Sequence, residues 1–294
     1  MTPLTFIDAH HHLWLREGGY PWLASTDPAL QRDYTASDYL TDLDGHVPLA
    51  TVHVEAAHDP RTPVDETEWL DSNAAERIPA AIVARAELQD PGLEAVLARH
   101  LEASPKVRGV RQMLDWNGAR QGPTTLMDDS RWRAGLNVLA AHSLTFDLQV
   151  VPGQLERAAH LAADHPGVSF VLNHAGYNVP AGRENTIAWR AGIAAIALVP
   201  NVAVKLSGFP ALRGAAGAPD ADEFFGGVVE QFGWDRVMFA SNFPHDRRFI
   251  SFTELLEVVD AALPAGVPTQ RADFFHATAA RVYRIDTSRK GPYV

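Results

Sequence analysis

Eight short apolar, β-branched runs recur along the chain with stretches of helical period between them, and this alternation restricts the fold more than any other feature. The runs are Phe6–His12, Leu49–Ala57, Ala80–Leu88, Val107–Leu114, Thr145–Val151, Ser169–Gly176, Val202–Gly208 and Arg236–Pro244. Strand and helix in regular alternation is the pattern of βαβ units and a parallel sheet. Eight parallel strands close a barrel, so the sequence predicts a (β/α)8 TIM barrel. At 294 residues, with no linker, internal repeat or low-complexity tract, the chain is expected to form one domain over 1–294.

The stretches between the runs carry helix signals. In Gly92–Ser104 the residues Leu93, Val96, Leu97 and Leu101 predict one buried stripe. Ser251-Phe-Thr-Glu254 reads as a capping box, in which hydroxyl and carboxylate satisfy each other's orphan N–H groups, and Asp220-Ala-Asp-Glu223 as a weaker helix start. Three connections exceed simple turns: Leu15–Ala36, Asp115–Asp129 and Phe209–Pro219. Each follows a strand, which places long βα loops over the C-terminal face, where barrel active sites lie. Tyr20, Trp22 and Arg32 in the first, and Trp116 and Arg120 in the second, suit either a lid or a variable surface loop.

Composition narrows the class of partner. A net charge of −11 argues against nucleic acid, whose phosphates require a basic surface. No run of about 18 apolar residues is present to span a bilayer, and the N-terminus lacks a basic stretch followed by an apolar one. The absence of cysteine removes disulfides, thiolate metal sites and cysteine nucleophiles together. The expectation is a cytoplasmic protein acting on a small molecule, with no membrane partner and with homo-oligomerisation left open.

Residues two apart on a strand face one way, so Asp8, His10 and His12 are expected on one side of the first strand and His11 on the other. The His10/His12 spacing suits either a metal bound through neutral nitrogens or a pair of donors holding a substrate oxygen. Polar residues also end strands six to eight: Asn173-His174, Lys205 and Ser207, then Ser241-Asn242 and His245-Asp246. Polar strand ends converge on one mouth, which favours a functional reading over satisfied core histidines.

Several motifs carry a further signal: Ile7-Asp8-Ala9-His10-His11-His12-Leu13-Trp14, Tyr20-Pro21-Trp22, Arg108-Gly109-Val110-Arg111, Asn173-His174-Ala175-Gly176, Lys205-Leu206-Ser207-Gly208 and Met238-Phe239-Ala240-Ser241-Asn242-Phe243-Pro244. Together they resemble the amidohydrolase-related TIM-barrel hydrolases, in the branch of sugar-acid lactonases and 2-pyrone-4,6-dicarboxylate lactonase. The motifs keep the family's order, and Thr278-Ala-Ala-Arg-Val-Tyr283 is similar to its closing helix. The resemblance implies hydrolysis of a lactone or related ester, of carboxylated or sugar-acid type, with His10, His12 and His174 as pocket histidines. A zinc-dependent non-oxidative decarboxylase and a non-catalytic binding protein are the alternatives on the same scaffold.

One position departs from that pattern. The family's strand-eight aspartate is replaced by Asn242, whose amide cannot take a proton at neutral pH. Asp246 is then a candidate base, with an ion pair to Arg247 or Arg248 as its plainer role, and His174 is another. The lysines are Lys106, Lys205 and Lys290, none of them at the end of strand four or five, so the resemblance implies no carbamate-bridged binuclear centre. The expectation is that no cofactor is required, the alternative being mononuclear zinc on His10, His12 and His174. For substrate binding the candidates are Trp14, His53, Glu55, Arg85, Arg111, Gln149 and Lys205, the cationic ones because they suit a carboxylate. Asp147 and Gln149 share a face of strand five, as His53 and Glu55 do of strand two.

Overall fold

The computed structural model describes residues 4–73, 78–115 and 124–288. Eight parallel strands form one sheet in the order β1 to β8: Ile7–His11, Ala50–Val54, Ala81–Arg85, Val107–Arg111, Thr145–Leu148, Phe170–Leu172, Val202–Leu206 and Val237–Phe239. Beyond the end of β8, His12 N donates to Phe243 O at 2.8 Å and Asn242 N to His10 O at 2.8 Å, which joins the last strand to the first. The fold is the TIM barrel that the alternation predicts. Every predicted run contains its strand but outlasts it, because its last residues leave the ladder and build the mouth.

Alternate strand residues divide between two buried clusters. Ile82, Val204, Leu206 and Phe239 pack with the helix residues Leu97, Leu136 and Ile193 in the shell between strands and helices. Ile7, Ala9, Val52, Val54, Val83, Val171, Met238 and Ala240 form the second cluster, which fills the barrel. Tyr283, fully buried after the helix Thr278–Val282, joins that inner cluster and donates its hydroxyl proton to Asp147. Lys205 Nζ reaches Asp147 at 2.5 Å, so an ion pair lies inside the barrel with no solvent contact.

The predicted helix signals are present with one adjustment. The helix Leu93–Ala103 buries Leu93, Leu97 and His100, and Leu101 is partly exposed. His100 takes the inner place because its ring bonds Thr67 Oγ1 at 2.8 Å and Arg85 O at 3.0 Å. The capping box closes the start of Phe252–Ala262, and Asp220 Oδ1 accepts from Glu223 N. No helix among the described residues is long and apolar enough to cross a membrane.

Parity fails on β1. Its register shifts between Asp8 and His11, and such a bulge moves the following side chains to the other face. Ile7 and Ala9 point into the barrel and Asp8 turns to Tyr39 Oη (2.7 Å) and Ser241 Oγ (2.5 Å), so the bulge is what brings His10 to the inner face after Ala9. His11 lies on the same side as Asp8, its ring stacked on Tyr39 at 4.5 Å. His10 and His12 do share a face, but Asp8 is not on it.

Candidate active site

A cavity of about 430 Å³ opens at the C-terminal ends of the strands, with His12, Arg111, Gln149, His174, Asn242 and Asp246 in its wall. The first and third long loops contribute Trp22, Ala211 and Leu212 to it. Trp116 and Arg120 of the second loop, like Lys290, lie outside the described residues.

His12 is held by its Nδ1, 2.7 Å from Val54 O. A carbonyl only accepts, so Nδ1 carries the proton and the neutral ring leaves Nε2 bare. That Nε2 stands 3.1 Å from His10 Nε2, which donates to it, and His10 Nδ1 has no partner among the described residues. The His10 ring is in turn 4.7 Å from that of His174. Burial lowers the pKa of all three imidazoles well below the usual value, with further lowering from Lys205 on His10, His245 on His12 and Arg111 on His174. The cluster is neutral at pH 7.

His174 follows β6 in a left-handed conformation (φ 54°), as does Ala175 (φ 47°). Two successive non-glycine residues in this region cost about 1–3 kcal/mol each unless the surroundings impose them. Here Tyr177 N bonds His174 O at 2.9 Å and Trp189 Nε1 bonds Ala175 O at 2.8 Å. The turn directs the imidazole to Ser207 Oγ, 2.8 Å from Nδ1. Asn242 and Ala57, both on the cavity wall, also have positive φ (57° and 56°). Backbone strain is thus gathered at the mouth.

Asn242 Nδ2 donates to Asp246 Oδ1 at 2.9 Å, and Gly208 N donates to Oδ2 at 3.1 Å. Burial outweighs these bonds and pushes the Asp246 carboxyl up to about 7. No ion pair ties it to Arg247 or Arg248: Arg247 reaches Asp42 at 3.1 Å and Arg248 reaches Asp27 at 3.3 Å. Gly208 has φ 80°, and a Cβ there would stand 3.3 Å from His174 Cβ, so one glycine touches both His174 and Asp246.

The remaining candidates divide. Arg111 faces the cavity, its Nε 2.6 Å from Glu55 Oε1 and its Nη1 2.7 Å from Gln149 Oε1, and Nη2 donates to Glu55 O. Arg108 is on the other face and bonds Val107 O. Gln149 also donates to Asp115. Trp14, His53, Glu55, Arg85 and Lys205 are not in the wall, Glu55 lying behind Arg111. Trp14 is buried behind it against Trp22 and His245, His53 points out toward Glu66 Oε1 at 3.4 Å, and Arg85 lies 3.0 Å from Glu87. Lys205 lies below, on Asp147.

His245, singled out by the sequence only as a polar strand end and given no role, is also in the wall. His245 packs edge-on to His12 at 5.1 Å and against Trp22 at 5.5 Å, and burial, with Arg248 and Arg111 nearby, lowers its pKa to about 3. It lies past the strand, where periodicity has no hold, and only its place directly after Phe243-Pro244 marks it.

Whether these residues suit zinc can be judged from the donors. Two imidazole nitrogens on one tetrahedral zinc stand about 3.4 Å apart, near the His10–His12 separation. A catalytic zinc takes three protein ligands, and among the described residues no group of three or more His, Asp or Glu is placed to hold a metal ion. Asn242 supplies an amide where a carboxylate would complete such a set. The donor set is two ligands, short of a catalytic zinc site.

Comparison with known proteins places this mouth in a family. A protein of Sinorhizobium fredii described as uncharacterized is 32% identical over 97% of this chain and 100% of its own length. An L-fucono-1,5-lactonase of Burkholderia multivorans is 29% identical, over 95% of this chain and 96% of its own. The crystal structure of an amidohydrolase from Burkholderia multivorans with bound zinc superposes with a TM-score of 0.81 at 27% identity, covering 96% of this chain and 100% of that one. The family model described as amidohydrolase matches residues 7–285, from the first residue of β1 to just beyond Tyr283, and the chain belongs to the amidohydrolase family.

Proposed function

We propose that this protein is a hydrolase that opens a small lactone by metal-independent attack of water. The observation that carries the reading is Asp246: a buried carboxyl on the cavity wall, raised to about 7, beside the neutral imidazole of His174. A base poised near the working pH both exists in quantity as the anion and accepts a proton with useful driving force. The lactonase named among the relatives agrees in reaction class.

In this mechanism the Ser207 hydroxyl donates to His174 Nδ1, which leaves Nε2–H to donate to the lactone carbonyl oxygen. Asp246 removes a proton from water, and the hydroxide adds to the carbonyl carbon. On collapse the ring C–O bond breaks, and the Asp246 proton passes to the departing ring oxygen. The products are one hydroxyl and one carboxylic acid, which ionises in water. Asn242 and Gly208 N hold the Asp246 oxygens, so the amide at the strand-eight position serves the base without being one. His12, with Nε2 occupied by the His10 proton, shapes the floor beneath the carbonyl.

A panel of neutral and acidic γ- and δ-lactones tests the proposal. His174→Ala and Asp246→Asn are each expected to lower kcat by about 10²–10⁴, the usual worth of a positioned donor or base, while exhaustive chelation leaves wild-type turnover unchanged. Loss of activity with the metal, or near-normal turnover in either variant, would sink it.

A further inference from the structure

The expectation that Arg111 meets a substrate carboxylate conflicts with what surrounds it. Its guanidinium spends Nε and Nη2 on Glu55 and Nη1 on Gln149, and the Glu55 side chain is 1% exposed. At 2.6 Å and away from solvent, Glu55 offsets part of the Arg111 charge, the rest of which still lowers the pKa of His174 and His245. Glu55 itself is fixed: Oε2 accepts from Ala57 N at 2.8 Å and stands 3.7 Å from Arg85.

No other buried cation takes its place. Among the described residues, the second cation in the wall is Arg248, at the outer rim, paired with Asp27 where water screens it. Lys205 is sealed below and bound to Asp147. The imidazoles of the floor are neutral, and Asp246 adds negative charge whenever it is ready to act as base. Val179, Pro180, Leu212 and a half-exposed Phe249 give the wall an apolar part. A substrate carboxylate entering here would lose water and gain no free cation.

We propose that Glu55 is a specificity-determining residue: by compensating Arg111 it reserves the cavity for lactones with no free carboxylate, their apolar substituent lying against Val179 and Phe249. Glu55 touches no reacting atom and acts through Arg111. The inference rests on the lactonase reading, and it requires that removing the charge of Glu55 expose that of Arg111 to the cavity.

The test uses a matched pair, δ-hexalactone and the analogue with a carboxylate in place of its methyl group. Wild type is expected to favour δ-hexalactone at least tenfold in kcat/KM. In Glu55→Gln, which keeps the side chain's size and one acceptor, the ratio should move at least tenfold toward the carboxylated lactone, chiefly through KM. A role of Glu55 in folding alone would lower both rates together and leave the ratio fixed. Wild-type preference for the carboxylated lactone, or an unchanged ratio in a folded variant, overturns the proposal. The corresponding pair of lactams, whose amide bond is far more resistant to hydrolysis, is measured by calorimetry on wild type alone, so the result does not depend on the variant folding. Tighter binding of the uncharged lactam supports charge selection even if no lactone is opened, in which case the lactonase reading alone fails. Equal binding, no binding, or tighter binding of the carboxylated lactam overturns it.

Discussion

Asp246 is a carboxyl only 2% exposed on the cavity wall, and the two donors beside it only partly offset the burial. Its role as base fixes a sign. The anion is the active form, so kcat/KM should fall as pH drops through about 7, tenfold for each unit below it, and Asp246→Asn should abolish that limb. A profile flat from pH 8 to 5.5 would remove Asp246 from the mechanism. At this scale the sequence was informative where position along a strand decides the outcome: His12, His174, Asn242 and Asp246 line one cavity, with His10 behind it against His12. It was silent where the partner lies on another strand. Nothing local tells that Glu55 claims Arg111 from just past β2, 56 positions away, or that His53, two residues before Glu55, points outward to Glu66.

At the scale of elements, short turns after the strands set the site. Just past β6 stands the left-handed pair His174-Ala175, and just past β7 stands Gly208, whose φ of 80° lets the chain pass against His174. Gly208→Ala should cost about 1 kcal/mol or more in stability, because alanine resists positive φ, and should also displace His174 and lower kcat/KM at least tenfold. Gly214→Ala is the control: φ is 75° there but no atom lies within 4 Å of a new Cβ, so it meets the same backbone resistance and should keep its activity. Equal activity in the two variants would mean that the Gly208 contact does not position His174. The strands themselves were legible because parallel strands buried on both faces read as apolar runs. Their ends were not, since the runs continue into the mouth, and the bulge in β1 reverses the parity on which the placing of Asp8 depended.

For the whole molecule, the buried ionisable groups set the response to acid. His10, His11, His12, His174 and His245 have pKa values lowered by burial, whereas the carboxyls of Asp8, Asp115 and Asp246 are raised. Below pH 6.5 the unfolded chain takes up imidazole protons that the folded chain refuses, so stability falls with pH. The raised carboxyls work the other way, since the folded chain keeps protons that the unfolded chain has lost. Five imidazoles against three carboxyls leave the balance with the imidazoles, so stability falls as the pH drops from 6.5 toward 5.5. Urea unfolding midpoints at pH 7.5 and 5.5 check this, and an equal or higher midpoint at pH 5.5 would contradict it. The barrel was the most legible part of the molecule, because eight repeats of one pattern outweigh an error at any single strand. The bond from Tyr283 to Asp147 has a meaning in time as well as in space. During synthesis all eight strands leave the ribosome before the tyrosine does. Until it arrives, the Lys205–Asp147 pair lacks its third partner and the inner cluster lacks its largest ring, so the nascent barrel waits on one of its last residues to seal its interior.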